Sequence, residues 1–139
     1  MVDNRTVYAE SEHTLDFSID RTATFSGIIK FKKQYLTSQE LIKVKTISLN
    51  DVFKLLNLKE VAYLSIDTEG TEFEILNAFD FGEQIIRIIT VEHNGDLKKA
   101  LCIDRLLVKN GYTRKFKYIS GPDFFIHLIL KEFFKPLNY

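Results

Sequence analysis

The pattern of apolar and polar residues predicts strands that alternate with helices through the second half of the chain. Two compact apolar runs, Val61 to Ile66 and Ile85 to Val91, are typical of strands covered on both faces. Between them, Thr71 and Glu74 have the spacing of a capping box, which predicts the start of a helix. That helix would turn three apolar residues toward the core: Phe73, Leu76 and Phe79. Strands connected by a helix in this way favour parallel pairing.

Weaker patterns fill the first half of the chain. Short strand-like runs are expected at residues 7–9, 14–20 and 28–31, with a turn at residues 11–13. Ser48, followed by an acidic residue at Asp51, resembles a helix N-cap. Apolar residues then recur at helical spacing, which predicts a short amphipathic helix over residues 49–57.

The last third of the chain predicts a helix and a hairpin. The helix covers Asp96 to Lys109 and ends at Asn110-Gly111, because these residue types favour a left-handed turn. Two strand-like runs, Arg114 to Ile119 and Phe124 to Leu130, flank the turn signature Ser120-Gly121-Pro122-Asp123. The expected fold class is therefore α/β, with a mostly parallel sheet and a C-terminal antiparallel hairpin, in a single domain over residues 1–139.

Composition excludes several classes of partner. Hydrophobic residues make up 45% of the chain, which is typical of a globular domain. Lys+Arg and Asp+Glu are equal at 19 each, so the net charge of +0 argues against binding of nucleic acid or an anionic membrane. The single cysteine, Cys102, has apolar neighbours that predict a buried thiol. Because no signal pattern or spanning apolar run is present, we expect a soluble, cytoplasmic protein.

Acidic residues follow both of the apolar strands. Asp67 and Glu69 come after the first strand, and Glu92 and His93 come after the second. In parallel α/β sheets the ligand crevice lies beyond the carboxyl ends of the strands, so four ionisable side chains are expected in one crevice. Gly70 would allow a tight turn beside it. The alternative is purely structural, since acidic residues at strand ends also cap the next helix or meet solvent.

One segment resembles the hallmark of the FkbM-type methyltransferase family: Leu64-Ser65-Ile66-Asp67-Thr68-Glu69-Gly70-Thr71-Glu72-Phe73-Glu74-Ile75-Leu76. In that family an apolar strand leads to Ile-Asp-x-Glu-Gly and then to a helix. Other segments resemble the family in the same order. Residues 44–51 match a lead-in helix, residues 90–94 the next strand end, and residues 106–112 and 121–126 the closing elements. The resemblance runs from about Val7 to about Leu130.

The resemblance implies a Rossmann-like enzyme that transfers the methyl group of S-adenosylmethionine, in this family typically to a hydroxyl oxygen. The acceptor would be a small molecule or a glycan. The positions that match the catalytic site are Asp67, Glu69, Glu92 and His93. Either His93 or Asp67 would act as general base toward the acceptor hydroxyl. Carboxylates also suit Mg²⁺, but no ligand set demands it, so metal-free acid–base chemistry is favoured and no metal site is assigned.

The Gly-rich turn with which this family cradles its cofactor has no counterpart in the sequence. The six glycines never cluster. We therefore interpret the chain as an N-terminally truncated, partial methyltransferase sheet, in which Val7-Tyr8-Ala9-Glu10 is the remnant of the family's third strand. Ala9, Glu10 and Asp67 are the positions left for cofactor binding.

The absence of the first strands would leave the Val61 to Ile66 strand without a neighbour on one side. Because a long apolar edge promotes association, we expect a homodimer, a partner chain on that edge, or an N-terminal hairpin that covers it. The isolated chain is expected to be incomplete or inactive as an enzyme. Two alternatives remain: a non-catalytic interaction module with a methyltransferase-like fold, and an unrelated small α/β domain that binds a ligand.

Overall fold

The computed structural model describes residues 5–20, 26–28, 39–115 and 124–129. These residues form strands and helices, which alternate from residue 39 to residue 115. The strands are β1 (Thr6–Tyr8), β2 (Thr14–Asp20), β3 (Gly27–Ile28), β4 (Gln39–Ser48), β5 (Glu60–Ile66), β6 (Ile85–Glu92), β7 (Tyr112–Lys115) and β8 (Phe124–Ile129). The helices are α1 (Leu49–Leu55), α2 (Glu72–Asn77) and α3 (Leu97–Lys109). The mixed α/β class predicted from the sequence is confirmed.

The first sheet has the strand order β1-β4-β2-β3. Its longest strand, β4, pairs antiparallel with β2 from Thr14↔Lys45 to Asp20↔Gln39. The last residues of β4 also pair with β1 in the parallel sense, where Tyr8 lies opposite Ser48. The β1 and β2 strands lie where the sequence predicts them. Residues 29–31 of the predicted third strand lie outside the described residues, and the structure begins that strand at Gly27.

The second sheet has the strand order β5-β6-β8-β7. Its β5 and β6 strands are parallel, as the helix between them predicts. The β8 strand pairs antiparallel with both β6 and β7, which confirms a C-terminal hairpin. Its predicted turn, residues 120–123, lies outside the described residues. The β7 strand begins two residues earlier than predicted, at Tyr112.

The expectation of a mostly parallel sheet is not met by the described residues. They form two mixed sheets, in which only β1–β4 and β5–β6 are parallel pairs. The reason is β4, a strand of ten residues that folds back antiparallel onto β2. The lead-in helix predicted for residues 44–51 is wrong for residues 44–48, which are strand. Val44 and its neighbours extend β4, and α1 begins only at Leu49.

The hydrophobic core joins the three helices to the second sheet. The α2 and α3 helices pack against each other, and α3 also contacts β7. Buried core residues are Leu49, Phe53, Ile66, Ile75, Leu76, Phe79, Ile86, Ile89, Val91, Ile103, Leu107 and Tyr112. Three edge-to-face ring contacts join four aromatic side chains of this core: Phe53 contacts Phe79, Phe79 contacts Phe81, and Phe81 contacts Tyr112. Tyr112 also donates a hydrogen bond of 2.6 Å to the backbone oxygen of Ile86, which satisfies its buried hydroxyl.

The caps of α1 and α3 agree with the sequence. The Ser48 side chain accepts a hydrogen bond from the backbone N–H of Asp51 at 3.1 Å, as an N-cap does. The α3 helix ends at Lys109 with Asn110 as its C-cap, and Gly111 follows with a left-handed φ of 89°, as predicted. None of the helices in the described ranges is both long enough and apolar enough to cross a membrane.

Three local predictions are wrong. The Thr71–Glu74 capping box does not form, because the Thr71 side chain makes no cap hydrogen bond to α2. Cys102 is exposed, because α3 turns Ala100, Ile103 and Leu107 toward the core and leaves Cys102 on its outer side. The β5 strand is not covered on both faces. It is the outermost strand of its sheet, and most of its residues are exposed or half-buried.

Candidate functional site

The parallel pairing of β5 and β6 brings two strand ends together. Ile66 lies opposite Val91 in the register, so the next residues, Asp67 and Glu92, are neighbours at the carboxyl edge of the sheet. Glu69 follows in the turn after β5. One carboxylate oxygen from each of Asp67, Glu69 and Glu92 lies within 4.8 Å of the other two. These three residues are called the carboxylate cluster. Of the four ionisable side chains predicted to converge here, the structure thus brings together the three acidic ones.

The electrostatics of the carboxylate cluster favour one bound proton. A hydrogen bond with Asp67, burial, and the negative charges of Asp67, Glu69 and Glu72 together raise the pKa of Glu92 to about 8. The Oε2 atom of Glu92 is shielded from solvent. Like charges this close cannot all ionise cheaply, so at neutral pH the cluster favours the protonated form of Glu92.

Two tight turns shape the cluster. In the turn after β5, Glu69 has a left-handed φ of 55°. Gly70 follows with a φ of 131°, a value that a residue with a Cβ adopts only with strain. In the turn after β6, Asn94 and Gly95 are also left-handed, with φ of 50° and 67°. The Nδ2 of Asn94 lies 3.5 Å from Oε2 of Glu69. The two turns therefore meet across the crevice at Glu69.

A buried glutamate holds the first turn in shape. Glu72 is 0% exposed, and its Oε1 accepts hydrogen bonds from the backbone N–H groups of Thr68 and Gly70, each at 2.9 Å. The Thr68 hydroxyl adds a third at 3.0 Å. The Nζ of Lys99 lies 3.2 Å from Oε2 of Glu72 and 2.7 Å from the backbone oxygen of Gly70. Glu72 and Lys99 thus fix the loop that carries Asp67 and Glu69.

The pKa of Glu72 moves in the direction opposite to that of Glu92. Burial tends to raise it, but the backbone hydrogen bonds of Gly70, Glu72 and Thr68 and the charge of Lys99 outweigh burial, so the pKa is lowered. Glu72 is therefore an ionised, fully bonded structural carboxylate.

Sequence reasoning did not identify Glu72 or Lys99 as site residues. A signal for Glu72 was present, since an acidic residue two positions after Gly70 can reach back into the turn. Lys99 gave no signal, because its role depends on how the first turn of α3 packs beside α2.

The two residues predicted as general base have different surroundings. Asp67 is exposed. His93 is only 2% exposed, so its ring belongs to the interior. The Asp67 carboxylate can therefore be reached from solvent, whereas the His93 ring cannot.

The predicted cofactor residues Ala9 and Glu10 lie in the first sheet, just after β1. The Glu10 carboxylate is paired with Nε2 of His13 at 2.9 Å, and its backbone oxygen accepts from the Thr46 hydroxyl at 2.7 Å. Both contacts stay within the first sheet. Asp67, the third predicted cofactor residue, lies in the carboxylate cluster. The assignment of these three residues to a cofactor stays a prediction.

A row of hydroxyl groups leads along the sheet to the carboxylate cluster. The Tyr63 hydroxyl lies 2.9 Å from the Thr90 hydroxyl, which donates to that of Ser65 at 3.1 Å. Hydrogen bonds from Thr90 and Ser65 lower the pKa of Tyr63, despite a small opposing effect of burial. Because side chains alternate along a strand, Tyr63, Ser65 and Asp67 share one face of β5. The crevice thus continues into a polar, exposed sheet face.

Comparison with known proteins identifies one family. A family model described as a methyltransferase FkbM domain matches residues 5–114, a range that contains the carboxylate cluster, Glu72 and Lys99. Searches of curated proteins and of solved structures gave no match.

Proposed function

The chain belongs to the FkbM methyltransferase family, and from that premise we propose that its carboxylate cluster is the acceptor side of an S-adenosylmethionine-dependent O-methyltransferase site. The acceptor is a hydroxyl group of a small molecule or a glycan. The observation that carries the proposal is the carboxylate cluster itself, three carboxylates within 4.8 Å of one another at the ends of two adjacent parallel strands, which raises the pKa of Glu92 to about 8. A proton held near neutral pH is what a general acid–base pair requires.

Methyl transfer to a hydroxyl oxygen requires a base beside the acceptor. S-adenosylmethionine, when bound, supplies a methyl group on a positively charged sulfonium. An acceptor hydroxyl must lose its proton to become a competent nucleophile. Asp67 is the exposed member of the carboxylate cluster, so it takes that proton. Glu92 holds a proton beside it at neutral pH, and Glu69 adds negative charge to the same crevice.

The remaining residues of the site orient Asp67 or contact the acceptor. Glu72 and Lys99 keep the Asp67-to-Gly70 turn in one conformation, which fixes the direction of the Asp67 carboxylate. A base whose position is fixed by surrounding hydrogen bonds spends a larger fraction of its time in the productive orientation. The hydroxyl row of Tyr63, Thr90 and Ser65 offers donors and acceptors to a polar acceptor molecule.

The described residues fit only one end of the cofactor. Three carboxylates within 4.8 Å suit a cationic sulfonium. The turns after β5 and β6 hold single glycines, Gly70 and Gly95, rather than the glycine-rich turn that binds a nucleoside. Binding of S-adenosylmethionine by Ala9, Glu10 and Asp67 stays part of the proposal, and the proton transfer to Asp67 does not depend on it.

Methyl transfer with a labelled donor tests the proposal. The chain is incubated near pH 8 with deuteromethyl-labelled S-adenosylmethionine and a panel of sugars and small alcohols, and products are read by mass spectrometry. Asp67→Asn is expected to lower the transfer rate by roughly 10²-fold or more, as loss of a general base does. Asp16→Asn, which changes an exposed carboxylate of the first sheet, is the matched control and should transfer at the wild-type rate.

A second measurement keeps the test decisive if no acceptor in the panel reacts. Carbon-13 NMR of the side-chain carboxyl groups should detect one that titrates near pH 8 in the wild-type chain and moves toward its ordinary value in Asp67→Asn. Equal transfer by Asp67→Asn and the wild type, or the absence of any carboxyl that titrates above pH 6, would overturn the proposal.

A further inference from the structure

The four outermost strands of the two sheets differ in how they are protected from association. In the described ranges, β1 has three residues and β3 has two, so each offers only a short edge. The β7 strand has four residues, and two of them are the charged Arg114 and Lys115. The β5 strand has seven residues, and from Val61 to Ile66 it carries no charge and no proline. Such an edge is the type that natural sheets usually cover or charge.

The outer side of β5 is open in the described part of the chain. The strand pairs with β6 on one side only, and it is the last strand in its sheet. Tyr63 is 54% exposed, and Ala62 and Ser65 are exposed as well. Half of the backbone N–H and C=O groups of such a strand point outward and would bond to another strand.

We propose that β5 pairs with β5 of a second copy of this chain, antiparallel and across a two-fold axis at Tyr63. Symmetry restricts the choice of register. In antiparallel pairing, opposed side chains lie on the same face, so a two-fold axis must pass through a residue. With the axis at Tyr63, all seven residues of β5 are paired, and Glu60 of each copy lies opposite Ile66 of the other. An axis at Ala62 or Leu64 shortens the overlap to five.

The same register produces charge complementarity at both ends. Lys59 and Asp67 flank β5, and both are exposed. With the axis at Tyr63, Lys59 of each copy lies directly opposite Asp67 of the other. Both residues belong to the face of β5 that carries Tyr63 and Ser65, because side chains alternate along the strand. Opposite charges directly across a strand pair stabilise it, and here the favourable pair occurs twice.

The partner copy would also contribute to the carboxylate cluster. Lys59 of the second copy would bring an ammonium group beside Asp67, one of three carboxylates that lie within 4.8 Å of one another. The dimer therefore joins the second sheets of both copies into one continuous sheet of eight described strands, with the two copies of the site at opposite ends of the central β5–β5 pair. This inference does not rest on methyl transfer, and its readout is the association state.

Cross-linking tests the register directly. Cys102 is replaced by Ser, so that its exposed thiol cannot react. In that background, Tyr63→Cys places two thiols on the axis, within the Cα separation that a disulfide spans, about 4.4–6.8 Å. Ser65→Cys is the matched control, because its two copies lie about 13 Å apart in this register. Oxidation should yield a covalent dimer for Tyr63→Cys and a monomer for Ser65→Cys, as judged on a non-reducing gel.

Sedimentation tests the charge pairs without cysteine. The wild-type chain should show a dimer that grows with concentration from about 5 to about 500 µM, as mass action requires. Lys59→Glu should weaken the dimer about tenfold by placing like charges opposite Asp67, and the swap Lys59→Glu with Asp67→Lys should restore it. Lys98→Glu, an exposed lysine of α3, is the charge-matched control and should change nothing. A monomer at every concentration, or equal cross-linking of Ser65→Cys and Tyr63→Cys, overturns the proposal.

Discussion

Two glutamates near the β5–β6 crevice illustrate how partners decide the state of a carboxylate. Glu72 is fully buried, yet its pKa is lowered because hydrogen bonds from the Thr68–Gly70 turn and the charge of Lys99 outweigh burial. Glu92 is less buried, yet its pKa is raised by a hydrogen bond with Asp67, by burial and by the charges of the neighbouring carboxylates. Burial alone would predict the reverse order. The first residue is therefore suited to holding structure and the second to holding a proton.

The raised pKa of Glu92 predicts a pH-dependent stability. Between its ordinary value of 4.5 and about 8, the folded chain binds more protons at this site than the unfolded chain does. The free energy of unfolding should therefore fall as pH rises through that window. Glu92→Gln removes the titration, so at pH 9 it should be more stable than the wild type by about 1 kcal/mol, allowing for solvent screening.

Urea denaturation at pH 4 and pH 9 measures this effect. At pH 4 the side chain is neutral in both proteins, and their stabilities should agree. Glu83→Gln, an exposed glutamate outside the carboxylate cluster, serves as the control and should follow the wild type at both pH values. A Glu92→Gln variant that is less stable than the wild type at pH 9 would contradict the raised pKa.

Glu72→Gln should act in the opposite sense. The substitution leaves the Lys99 ammonium beside a neutral amide and is expected to cost about 3 kcal/mol near pH 7, as removing one member of a buried pair does. Because the folded pKa of Glu72 is lowered, its contribution is present above the unfolded value of 4.5 and is lost as pH falls through the folded value. The deficit measured by urea denaturation should therefore shrink in acid. A constant deficit at all pH values would indicate lost packing instead.

The sequence could predict the position of the site residues better than their roles. Asp67, Glu69 and Glu92 follow apolar runs, and strand pairing alone brings them together. The burial of His93 and the contact of Lys99 with the turn depend on the packing of α3, which a single sequence does not encode locally. The sequence therefore left Asp67 and His93 as alternative candidates for the general base, and only the structure shows that the first is exposed and the second buried.

At the scale of elements, short helices depend on their first residues. The α1 helix has only seven residues, and its N-cap Ser48 bonds to the backbone and the carboxylate of Asp51. Ser11 joins from the first sheet, by donating to Asp51 and accepting from the N–H of Ser48 at 2.7 Å. The hydrogen bonds to Asp51 from Ser11 and then Ser48 lower its pKa, against a smaller effect of burial. This cap joins a helix, a strand end and a loop.

Ser48→Ala should destabilise the chain by about 1 kcal/mol, because it removes a cap acceptor and leaves an N–H of α1 without its partner. Thermal unfolding followed by circular dichroism measures the change as a lower Tm. Ser48→Thr retains the hydroxyl and should keep most of the stability, so it separates the cap from the size of the side chain. Equal losses for Ala and Thr would locate the effect in packing.

The elements that the sequence predicted well are those whose signals are local. The α1 cap, the glycine after α3 and the apolar run of β6 each lie within a few residues of their effect. The misassigned elements depend on distant partners. Residues 44–48 became strand because β2 and β1 both pair with them, and β5 is exposed because β6 is its one neighbour among the described strands. Long-range pairing thus decided both elements, and no local pattern encodes it.

At the scale of the whole molecule, the charge is balanced but its distribution is not. The net charge is +0, so no long-range field selects ligands, whereas three carboxylates meet in one crevice. Short-range attraction should therefore favour a cation. S-adenosylmethionine carries a sulfonium and S-adenosylhomocysteine does not, so the first should bind about 3- to 10-fold more tightly to this chain, the effect of an exposed ion pair.

Titration of both compounds into the nitrogen-15-labelled chain, followed by NMR, measures that preference. Because no glycine-rich turn is encoded to hold the nucleoside, both dissociation constants should be weak, on the order of 1 mM. Asp67→Asn should reduce the difference between the two ligands, whereas Asp16→Asn, in the first sheet, should preserve it. Micromolar binding of both compounds with no preference would mean that the nucleoside is held by residues other than the carboxylate cluster. If Asp67→Asn still prefers the cationic ligand, the attraction comes from Glu69 or Glu92 instead. The same titration of Glu69→Gln would then show how much of the preference Glu69 contributes.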